Sequence, residues 1–166
     1  IDPGDYLSWR EVGDYSNAVE AAVKTIEEVL DDGNVVEAIE LAEHALASTE
    51  DAMGSVDDSD GQMGSILDRL QELHLRACKK GTPDPMELAR RLFGREIETD
   101  YDVFHGAVVT YADVLRKEGI AEYRRLAEER WKTIKPLGPG KDDPDKYGSR
   151  FRISSIMLAL ARMDGD

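Results

Sequence analysis

The chain has 166 residues, and its 35 acidic against 21 basic side chains give a formal net charge of −14. That length suits one ordinary domain, able to bury roughly 70% of the surface its unfolded form exposes, while the acidic field repels phosphate backbones and anionic membrane surfaces. Nucleic-acid binding by this fragment is therefore not expected, and the apolar runs fall far short of the ~20 residues that span a bilayer.

Apolar residues recur every three and four positions, and period-2 alternation is nearly absent, so the chain reads as all-α with about seven helices. Residues 1–8, opening on Ile1, read as a cut N-terminal end or linker. Trp9, Val12, Val19, Val23, Ile26 and Leu30 share one helical face, with Ser8 and Glu11 at capping-box spacing. Asp32-Gly33 ends this helix. Asn34, followed by Glu37, is expected to cap a second helix with an inner stripe of Ile39, Ala42, Leu46, Met53 and Val56.

Ser59 or Asp60 is expected to cap a third helix whose inner face is Met63, Ile66, Leu67, Leu70, Leu73 and Ala77, with Gly81 as its left-handed cap. Asp84-Pro85 starts a fourth. Aspartate caps it, proline takes the first helical position where no amide hydrogen is missed, and Glu87 completes the box. Leu88, Leu92 and Phe93 should face inward. A fifth helix is expected from near Tyr101, carrying Val103, Phe104, Ala107, Val108, Tyr111 and Leu115. Glu118-Gly119 should turn it into a sixth with Ile120, Tyr123, Leu126, Ala127, Trp131 and Ile134 inside. Residues 135–148 hold three prolines and three glycines and are expected to be a loop; Phe151, Ile153, Ile156, Met157 and Leu160 then mark a terminal helix.

The expected organisation is three helical hairpins over 9–134, a Pro/Gly-rich loop over 135–147, and a terminal helix and tail over 148–166, one domain overall. Helix starts near positions 9, 35, 60, 85, 102, 120 and 148 are spaced similarly but not equally. Stacked antiparallel hairpins in a TPR- or HEAT-like α-solenoid fit this spacing, as does an irregular bundle of the same helices.

Several strings carry a family likeness: EAIELAEHAL at 37–46, VDDSDG at 56–61, LQELHLRAC at 70–78, EYRRLAEERW at 122–131, PLGPG at 136–140 and RISSIMLALA at 152–161. Together they resemble the helical C-terminal region of bacterial SWIM zinc-finger proteins. The resemblance implies a helical-repeat domain preceded in the family by a zinc finger of CxC and CxH type, directed to DNA or proteins. Cys78 is the single cysteine of this chain, so the chain is not the finger. One thiol also excludes an internal disulfide and fits the cytoplasm.

No local pattern assembles a reaction. In the acidic run Asp57-Asp58-Ser59-Asp60-Gly61, placing Gly61 at the sixth position of an EF-hand puts Val56 and Leu67 where the first and twelfth ligands belong. Carboxylates beside the third helix's N-terminus are the simpler reading. His44, His74 and His105 stand thirty or so residues apart, without HExxH or paired ExxH spacing. Glu98, Asp100 and Asp102 beside Tyr101 and His105 offer a place for acid/base chemistry, but an acidic first turn also stabilises a helix through its dipole. Gly138-Pro139-Gly140-Lys141 lacks phosphate-loop spacing, no serine sits in a GxSxG elbow, and the pairs Lys79-Lys80, Arg90-Arg91 and Arg124-Arg125 read as solvated helix faces.

The expectation is a noncatalytic protein–protein interaction or scaffolding domain with a protein partner, a basic one suiting the charge, and with no catalytic residue, metal ligand or cofactor. Tyr101, His105, Arg124 and Arg152 are the candidate contacts, with Asp58 and Asp60 of the acidic run. The alternative is a metal-dependent or small-molecule enzyme using residues 57–60 or 98–105.

Overall fold

The computed structural model describes residues 9–54, 61–142 and 148–165, apart from the side chains at 9–12, 14, 15 and 62. Those residues are all-α: α1 (Trp9–Asp31), α2 (Val35–Met53), α3 (Gln62–Gly81), α4 (Pro85–Glu98), α5 (Ala107–Thr110), α6 (Ala112–Thr133) and α7 (Ser149–Met163), with no strand among them. They gather into two compact units, Ile1–Gly81 and Thr82–Asp166.

In the first unit each of the three helices packs on the other two. Their stripes meet as the periodicity requires. Val19, Val23, Ile26 and Leu30 of α1, Ile39, Ala42 and Leu46 of α2, and all six residues expected on the inner face of α3 are buried. A tight turn closes α1 onto α2. Gly33 is left-handed at φ 88°, its amide reaches Leu30 O at 3.2 Å and the Asn34 amide reaches Val29 O at 3.1 Å, the two bonds of a Schellman motif. The Asn34 side chain makes no capping bond to α2, contrary to expectation, and its backbone amide closes α1 instead.

Gly81 also differs from its expected role. It is the last residue of α3, and the left-handed position falls on Thr82 at φ 46°. A Cβ on Gly81 would lie 2.5 Å from Val35 Cγ1, so the missing side chain admits α2 rather than reversing the backbone. The caps proposed for α3 at Ser59 and Asp60 lie outside the described residues.

In the second unit α4 starts as the sequence dictates. The Glu87 amide donates to Asp84 Oδ1 at 2.8 Å, with Pro85 at the first helical turn. The single helix expected through Tyr101–Leu115 is broken into a loop and short pieces. Asp102, Phe104 and Gly106 have φ of 58°, 60° and 71°, α5 is one turn, and Arg116 interrupts α6 at φ 54°. Val103, Phe104, Ala107, Val108, Tyr111 and Leu115 are nevertheless all buried.

The expected turn at Gly119 does not occur. Gly119 lies within α6, where a Cβ would stand 2.6 Å from Pro85 O, so it serves as the point of close approach to α4. Trp131 and Phe151, expected inside, are 46% and 45% exposed. α7 packs on α4, α5 and α6 through Ile153, Ile156 and Leu160.

Candidate interaction groove

The first unit leaves space between α1 and α2. Val23, Ile26 and Leu30 of α1 and Ile39 and Leu46 of α2 are buried in the core, whereas Ala18 and Ala22 on α1 and Ala45 and Ser48 on α2 are too small to close the gap between the helix axes. The result is an open groove of about 420 Å³, also lined by Val19, Thr25, Ile26, Leu41, His44 and Thr49. Its surface is almost wholly apolar. The Thr25 hydroxyl donates back to Ala21 O at 3.0 Å, which satisfies it within α1.

Among the described residues, charge is matched on the α3 side of the helix pair. Toward α3, Glu20 receives Arg69, Glu27 stands 3.7 Å from Arg76, and Glu43 lies 3.1 Å from Nε2 of the buried His74. Elsewhere Glu28, Asp32, Glu37, Glu40 and Asp51 are exposed and take no ion pair among the described residues. Glu40 lies four residues before His44 and Asp51 three after Ser48, which places them along the outer edge of the α2 wall; Glu28 stands three after Thr25 on α1. Between residues 9 and 53 there are twelve carboxylates against Arg10 and Lys24, a net of −10 out of the chain's −14.

The second unit holds its titratable groups in packing. Glu96, 2% exposed, accepts from Tyr123 Oη and, at 2.7 Å, from the amide of the left-handed Gly106. Burial raises its pKa; the Tyr123 and Gly106 bonds and the nearby His105 partly offset that rise. Tyr123 is fully buried, edge-on to Phe93 at 5.4 Å, and burial with the Glu96 charge beside it holds its hydroxyl well above the usual phenol range. Glu122 accepts from Arg125 Nε and Nη2 and from Arg90 Nε, all at 2.8 Å, and these bonds lower its pKa to about 2. These bonds tie α6 to α4 and order the loop between α4 and α5.

The candidate contacts separate. Arg152 is 11% exposed, donates to Ile97 O at 3.2 Å and lies 3.8 Å from Asp100 in a polar pocket of about 440 Å³ that also holds Glu98, Arg130 and Ser149. Two acids and two arginines there balance, so the pocket favours neither a cation nor an anion. Tyr101 is exposed beside it. His105 stands 4.0 Å from Glu96 and Arg124 pairs with Asp164 at 2.8 Å, pinning the end of α7. Asp100 and His105 thus turn to different partners. Asp58 and Asp60 lie outside the described residues. Among the described residues, no three His, Cys, Asp or Glu stand together as a metal site, and no helix is long and apolar enough to cross a membrane.

Sequence reasoning missed Glu96 although a signal was present: it continues the stripe Leu88, Leu92 at four-residue spacing, where a carboxylate must find a buried partner. It also missed the groove, whose lining alanines and serine look like ordinary helix filler. The profile of a family of unknown function (DUF6880) matches residues 4–156. No curated protein and no solved structure matches the chain.

Proposed function

We propose that this chain, which belongs to the family of unknown function DUF6880, works as a noncatalytic protein-interaction domain. The observation that carries this reading is the apolar α1–α2 groove, left open in a chain that fills the core beside it with Leu30, Ile39 and Leu46. Concave apolar surface of this kind supports docking of another polypeptide. The buried carboxylates of the second unit are already bonded to Tyr123, Arg90 and Arg125, which supports a structural rather than a chemical role for them.

In this reading the SWIM-like helical strings belong to an assembly part. The single, buried Cys78 suits a reducing cytoplasm, and the acidic field turns nucleic acid away. Filling the groove by Ala45→Trp tests the reading. The full chain and this variant are used as baits for proteins identified by mass spectrometry, with circular dichroism confirming that both are folded. A partner held by the wild-type chain and lost by the variant is expected. The same partners on both baits would refute the groove as the docking site.

A further inference from the structure

We infer that the α1–α2 groove takes a basic amphipathic helix, an inference that rests on the interaction-domain reading above and names its partner's chemistry. The floor between Ala18 and Ile26 on α1, and between Leu41 and Thr49 on α2, runs about 12 Å, or two to three helical turns. Both walls are helices whose backbone groups are bonded internally, so the groove offers no strand edge for an extended peptide, and such a peptide would bury its own amides unsatisfied. A helix arrives with its backbone bonds already made. Apolar residues at i, i+3, i+4 and i+7 on one face would meet the floor.

The edges specify the rest. Glu20, Glu27 and Glu43 face Arg69, Arg76 and His74 of α3, while Glu28, Asp32, Glu37, Glu40 and Asp51 take no ion pair among the described residues. Arginines or lysines flanking the apolar face of an incoming helix complete that pattern. A second copy presenting the same hairpin would set the unpaired carboxylates of one groove edge against those of the other, which charge opposes.

The test uses the full chain and two fluorescein-labelled, helix-forming peptides of about 18 residues. Both carry a leucine and alanine face, flanked by arginines in one peptide and glutamates in the other. Fluorescence polarisation should show the arginine peptide binding at least about tenfold more tightly, and weakening as salt shortens the Debye length from about 10 to 3 Å. Amide shifts in NMR spectra should fall on residues 18–26 and 41–49. Replacing Glu37, Glu40 and Asp51 together by lysine should reverse the preference without altering the circular dichroism spectrum.

Equal binding of both peptides in the groove overturns the basic-helix inference and leaves the interaction domain standing. Shifts outside the groove, or no binding of either peptide, overturn the inference. The partner loss on Ala45→Trp then separately decides whether the groove docks anything. Concentration-dependent self-association that shifts the groove amides without peptide assigns the groove to a second copy and also overturns it.

Discussion

The hydroxyl of Tyr123 on α6 donates to Glu96 Oε2 on α4, and the two side chains are 0% and 2% exposed. Glu96 holds the Gly106 amide with its other oxygen, so one carboxylate fixes both a helix pair and a left-handed turn. Tyr123→Phe removes the donor but keeps the ring against Phe93. The variant is expected to lose about 1–3 kcal/mol in urea unfolding, the cost of leaving a buried polar group short of a partner.

Glu96 and Glu122 bend the pH dependence of stability in opposite directions. Burial raises the Glu96 pKa above its ordinary 4.5, so the folded chain holds a proton that the unfolded chain releases. The stability this contributes is complete below the unfolded value and is lost as pH rises through the folded one. The arginine bonds lower the Glu122 pKa to about 2, so its contribution is complete above 4.5 and is lost as pH falls toward 2. Relative to wild type, Glu96→Gln should flatten the stability curve above pH 4.5 and Glu122→Gln should flatten it below. Urea midpoints from about pH 2 to 7 measure both.

Two helical glycines should respond to alanine with opposite signs. At Gly119 a new Cβ meets Pro85 O at 2.6 Å and Leu115 at 3.0 Å, and backbone has little room to yield. Gly119→Ala is expected to cost about 1–3 kcal/mol in spite of alanine's better helix propensity. Gly94, inside α4, has nothing within 4 Å of a built Cβ. There the propensity acts unopposed, and Gly94→Ala should add up to about 1 kcal/mol. Thermal or urea unfolding of the two variants decides the matter.

Cys78 should be silent until the first unit opens. It is fully buried, with Sγ 3.7 Å from Nε2 of the equally buried His74. A bulky thiol reagent is expected to leave the native chain unlabelled and to label one site in urea. At fixed reagent the labelling rate then tracks the population of the open form. Rapid labelling under native conditions would contradict the burial.

The inward stripe of α3, the start of α4 at Asp84-Pro85 and the end of α1 at Gly33 were all legible in the sequence, because apolar period and local hydrogen bonding act over a few residues. What lay beyond that range was not. Gly81 and Gly119 resemble helix stops until Val35 and Pro85 are seen pressing on them. The buried stripe from Val103 to Leu115 has helical spacing, yet a loop bonded by Glu96 carries part of it. The residue content of the groove could be read along the chain, but its emptiness could not, since a gap depends on what the neighbouring helix fails to fill. Apolar period by itself determined an all-α chain, and composition a strongly acidic one. Only the tertiary structure decided which carboxylates of α1 and α2 arginine neutralises, because in the first unit Glu20 and Glu27 find Arg69 and Arg76 on another helix and not along their own.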